Sequence, residues 1–117
     1  MGAEGENLKR FDVSRRSLPD GEVELEIRGE LDLSTAAGLE AELDAASAEA
    51  EGAVIVDFSA CAFIDSSGVR ALIGAARGLE ESGAVLRIVG ARAQVRDVFA
   101  LVSLDDAAGI EFADPVG

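Results

Sequence analysis

Phe63-Ile64-Asp65-Ser66-Ser67-Gly68-Val69-Arg70 joins two apolar patterns of different period. Upstream, Val54-Ile55-Val56-Asp57-Phe58 is a short apolar run of the kind found in a parallel, buried strand. Downstream, Val69, Leu72, Ile73, Ala76 and Leu79 recur at helical spacing, and Ser82-Gly83 marks the end of that helix. The octapeptide is therefore a polar turn between a strand and a helix start. It puts two hydroxyls and a carboxylate where helix N–H groups point outward. A group there can be modified, or can bind something, without disturbing a core.

The rest of the chain alternates around this unit. Phe11 to Arg16 forms a first strand, and Leu18-Pro19-Asp20-Gly21 carries Pro and Asp-Gly in turn order. From Glu22 to Arg28, apolar Val23, Leu25 and Ile27 alternate with charged neighbours, which predicts a strand with one wet face. The two strands read as a hairpin. Gly29-Glu30-Leu31-Asp32 ends it, and Asp32 or Ser34 is placed to cap a helix striped by Ala36, Leu39, Leu43, Ala46 and Ala50. Glu40, Glu42, Asp44 and Glu49 face water on that helix, and every charged residue from Glu30 to Glu51 is acidic. Ala84 to Val89 is a further strand, Val95, Val98, Phe99 and Val102 stripe a third helix, and Ile110-Glu111-Phe112 closes as a short strand. The order β-β-α-β-α-β-α-β predicts an α/β fold with one small, mostly parallel sheet opened by a hairpin. Residues 1–9 read as a polar leader, and residues 10–114 as one domain.

Composition narrows the chemistry. The 117 residues suit a single domain, and the net charge is -13. Lys and Arg clusters for nucleic acid, or for direct contact with an anionic membrane, are missing. The acidity serves solubility, or it meets a partner with a basic face. Cys61 is the one cysteine, so no internal disulfide forms, and it reads as a small apolar residue. With no histidine, a Ser-His-Asp triad is excluded, and zinc would have to rely on carboxylates. Lys9 is the only lysine and lies in the leader, which removes a phosphate-binding loop built on lysine. No cofactor-binding or metal-binding pattern is present. The N-terminus lacks a basic start and an apolar signal core, so a cytoplasmic location is expected.

What remains is Asp65-Ser66-Ser67-Gly68, and the residues alone leave two readings open. In one, Ser66 or Ser67 caps the helix, worth about 1 kcal/mol. In the other, one serine accepts a phosphate, gaining about -1.5 to -2 charges near the positive end of a helix. Nothing in the chain could transfer that phosphate, so the kinase is another protein.

Two motifs then carry a family resemblance. Gly29-Glu30-Leu31-Asp32 with Thr35 heads the first helix, and Ile64-Asp65-Ser66-Ser67-Gly68-Val69-Arg70 heads the second. With the element order, they make residues 8–113 resemble a STAS domain of the anti-sigma factor antagonist type. The resemblance implies a non-enzymatic, partner-switching regulator. Its unphosphorylated form binds an anti-sigma factor that is also a serine kinase of the GHKL ATPase type, and a sigma factor is freed. Phosphorylation by that kinase ends the binding, and a phosphatase restores it. By the same resemblance Ser66 is the phosphorylated residue and Ser67 is left as the cap. Asp32 is the acidic residue beside Ser66, and Asp65, Ser67, Gly68, Val69 and Arg70 join the partner surface. The family often ends with a short helix, whereas this sequence stops at Gly117, soon after Phe112. An alternative keeps the fold and changes the role: a soluble STAS subunit of a membrane lipid-transport complex of the ABC type, docking on a permease.

Overall fold

The computed structural model describes residues 11–102, 104 and 109–113. The leader expected over residues 1–9 lies outside them. Five strands, β1 (Phe11–Ser17), β2 (Val23–Leu31), β3 (Ala53–Ile64), β4 (Val85–Val89) and β5 (Ile110–Ala113), form one sheet in chain order. β1 and β2 pair antiparallel, and every later pair is parallel. Three helices make the crossovers: α1 (Ala36–Glu49), α2 (Ser66–Glu81) and α3 (Ala93–Leu101).

One face of the sheet carries the core. Leu25, Val56, Ile88 and Phe112 line up across four strands, as do Val23, Val54, Leu86 and Ile110. Helices cover that face with Leu39, Leu43, Leu72, Ala76, Leu79, Val95 and Phe99. Phe58 is fully buried and meets Phe99 edge-on, ring centroids 5.6 Å apart, a favoured aromatic geometry. The other face is the charged one. Arg16, Glu24, Ile55, Arg87 and Glu111 form one row across it. Arg87 bridges Glu22 and Glu111, and Arg16 pairs with Glu24. Among the described residues no helix packs there, so Ile55 and Asp57 are half-buried rather than enclosed.

β2 and β3 both outrun their expected ends, and the reason is physical. The β2–β3 ladder shifts between Glu26 and Arg28 and again between Gly29 and Glu30, each time with an extra residue in β3. Such bulges break the period of two, so Ser59-Ala60-Cys61-Ala62 does not alternate like a strand. Gly29, at φ 95°, lets β2 bend at the second shift and continue to Leu31. As a result β3 runs to Ile64 and delivers Asp65 directly to the head of α2.

Candidate functional site at the carboxyl edge of β2 and β3

In a parallel sheet the loops after neighbouring strands gather at one edge. Leu31 pairs with Ile64, and the Asp65 N–H donates to the Leu31 carbonyl at 3.0 Å. The β2–α1 loop, which carries Asp32, and the start of α2, which carries Ser66, are therefore adjacent.

Asp65, not a serine, caps α2. Its carboxylate accepts the Ser67 N–H at 2.8 Å and the Gly68 N–H at 3.4 Å, and its backbone is extended as a cap requires. The expected cap at Ser67 is thus corrected. The turn is a single residue long, so both serines already lie in the first turn of α2. Ser66 is exposed there, and Ser67 is half-buried.

Gly68 and Val69 were expected on the partner surface, and the structure places both inside. Val69 is 4% exposed. Gly68 is buried where α2 crosses the sheet, and an added Cβ would lie 2.8 Å from Ile64 Cγ1 and 3.1 Å from Leu31 Cβ. Its role is to let α2 seat against β2 and β3, which fixes the position of Ser66. Gly68→Ala is expected to cost about 1–3 kcal/mol through overpacking, read as a lower midpoint in urea denaturation. An unchanged midpoint would show that α2 does not sit this close.

The β2–α1 loop is tied by its own polar groups. The Asp32 carboxylate accepts the Ser34 hydroxyl at 2.7 Å and the Ser34 N–H at 3.0 Å. Thr35 Oγ1 accepts the Asp32 N–H at 2.9 Å and donates to the Glu30 carbonyl at 3.0 Å. Neither Asp32 nor Ser34 caps α1; Thr35 holds that position, with its hydroxyl turned back into the loop. The Ser34 hydroxyl is the main cause holding the Asp32 carboxyl below its ordinary range, so Asp32 is an anion at neutral pH.

Around Ser66 the edge thus presents half-buried Asp32 and Asp65, exposed Glu30 and, one turn into α2, exposed Arg70. Two exposed apolar side chains escaped the sequence reading: Leu33, 80% exposed, and Phe63, 47% exposed. Phe63 was detectable once β3 was extended, since it pairs with Glu30 on the wet face. Leu33 had no such signal, because one leucine in a polar loop fits no period. Cys61 is buried, and burial raises its thiol pKa, as suits an inert packing residue.

The edge thus joins the heads of α1 and α2, with Ser66 exposed and the carboxylates of Asp32 and Asp65 half-buried. The family profile described as "Mlab, STAS domain" matches residues 14–112. The chain belongs to the STAS domain family. No curated protein matches it in sequence. Among solved structures, an antisigma-factor antagonist STAS domain from Rhodobacter sphaeroides is 32% identical. That match covers 69% of this chain and 87% of the other, with a TM-score of 0.59. The unphosphorylated anti-sigma factor antagonist SpoIIAA is 24% identical over 90% of this chain and 89% of its own, with a TM-score of 0.76. SpoIIAA of Bacillus is also known in a phosphorylated form, which matches with a TM-score of 0.69, 24% identity and coverage of 90% and 92%. An anti-sigma factor antagonist from Mycobacterium paratuberculosis is 24% identical over 88% of this chain and 86% of its own, with a TM-score of 0.77.

Proposed function

We propose that this STAS domain is an anti-sigma factor antagonist switched by phosphorylation of Ser66. Its partner is an anti-sigma factor that is also a serine kinase of the GHKL ATPase type. The unphosphorylated form binds that partner in the cytoplasm and frees a sigma factor; the phosphorylated form lets go, and a phosphatase resets it. The domain is a recipient and performs no catalysis of its own.

The observation that carries this reading is the exposed Ser66 at the first position of α2, beside a cap that is already filled. A phosphate at a bare helix head would be stabilised by free N–H groups. Here the Asp65 carboxylate already takes the Ser67 and Gly68 N–H groups. A phosphate on Ser66 would add about two negative charges next to Asp65 and near ionised Asp32 without that reward. Its effect falls on whatever faces the edge, and the fold has no reason to change. The balance of the transfer is simple: the Ser66 hydroxyl oxygen attacks the γ-phosphorus of ATP held by the kinase, its proton leaves, and ADP departs. Incubation with the kinase and ATP, followed by mass measurement, tests the assignment.

The "Mlab" description of the matching profile favours a second reading, a soluble STAS subunit docked on a lipid-transport complex. Among the described residues no helix is long and apolar enough to cross a membrane, so the membrane contact would belong to a permease partner. Co-purification with a permease would select this reading, and co-purification with a soluble kinase the first.

A further inference from the structure

We infer that Leu33, with Phe63 on the neighbouring strand, is the apolar anchor that seats the kinase partner, in a pocket ringed by basic side chains. This rests on the function proposed above and adds which residues hold the partner and what they fit.

Leu33 is a large apolar side chain left 80% exposed, and the loop gives it little freedom. Its neighbours on both sides are tied down: Asp32 to Ser34 through carboxylate, hydroxyl and N–H, and Thr35 to Asp32 and Glu30. A side chain presented by a fixed loop loses little further entropy on binding, so its burial is converted efficiently into affinity. Burying an exposed leucine strengthens binding about tenfold or more.

Position argues for the same surface as Ser66. Leu33 is two residues beyond Leu31, Ser66 is one beyond Asp65, and Leu31 and Asp65 are hydrogen-bonded at 3.0 Å. Chain geometry then keeps their Cα atoms within about 17 Å, well inside one protein footprint. Phe63 adds a second exposed apolar group opposite Glu30, one strand over. The rim gives the partner's chemistry. Glu30, Asp32 and Asp65 lie on the same strand ends and loop as Leu33 and Phe63, on a chain of net charge -13. The complementary surface is an apolar socket with Lys or Arg at its edge, which attracts this acidic face.

The test measures kinase affinity of the full chain by titration calorimetry, at low and at high salt, for wild type, Leu33→Ala, Phe63→Ala and Leu101→Ala. Leu101 is 84% exposed, but α3 runs back from the carboxyl edge of β4 and leaves it at the opposite end, so it serves as the control. Leu33→Ala is expected to weaken binding tenfold or more and Phe63→Ala severalfold, by the same factor at both salt levels, while Leu101→Ala binds as wild type. The wild-type affinity itself falls as salt rises, reporting the charged rim. Wild-type affinity in Leu33→Ala overturns the anchor even if Ser66 is phosphorylated. Loss of affinity in Leu101→Ala equal to that of Leu33→Ala also overturns it. No binding and no phosphorylation of wild type would instead overturn the proposed function.

Discussion

Ser66→Asp is expected to weaken binding to the kinase by at least about tenfold, or 1.4 kcal/mol, while Ser66→Ala binds as wild type and is not released by ATP. Ser66 is exposed next to Asp65 and across from the loop of Asp32, and the Asp65 carboxylate already takes the Ser67 and Gly68 N–H groups. A carboxylate placed there would have to shed its water against the part of the partner that fits a neutral hydroxyl, a cost that basic side chains farther out at the rim do not repay. Alanine removes the acceptor oxygen but adds no charge, so capture survives and release fails. Surface plasmon resonance with ATP in the running buffer separates the two effects. Equal affinity and equal ATP-driven release for both variants and wild type would rule out a charge switch at this position.

Phe58→Ala is expected to cost about 3–5 kcal/mol, which for a domain of this size lowers Tm by roughly 15 °C or more. Phe58 is fully buried at the middle of β3, and its ring is the partner of Phe99, which in turn meets Phe112 at 5.7 Å. Removing it leaves a cavity where β3 and α3 converge, next to one of the chain's few aromatic contacts. Since domains are stable by only about 5–15 kcal/mol, the loss takes a large share of the total. Circular dichroism melts measure it. A loss under about 1 kcal/mol would mean that α3 is not held through this aromatic contact.

How much of this was readable in the sequence depended on whether a local pattern stayed unbroken. Val23, Leu25 and Ile27 alternate without interruption, and their strand formed with the charged residues on the other face. Val69, Leu72, Ala76 and Leu79 kept their helical spacing and are buried along α2. The pattern failed where tertiary pairing intervened. Two bulges in β3 hid the strand between Ser59 and Ile64, and with it the fact that Phe63 lies on a sheet face. The motif Asp65-Ser66-Ser67-Gly68 was visible, but the division of labour within it was not. Which of three polar side chains caps a helix depends on where the helix starts, and that was set by the close packing of Gly68 on Leu31 and Ile64. Leu33 was invisible for another reason: exposure of one apolar residue is a property of the folded loop, not of any spacing.

The most direct measurement is the intact and peptide mass of the protein after incubation with the proposed anti-sigma factor kinase and ATP. One phosphate, located on Ser66 and absent from Ser66→Ala, is the expected result. No added phosphate on wild type, or the same modification persisting in Ser66→Ala, would contradict the assignment of Ser66 as the switch.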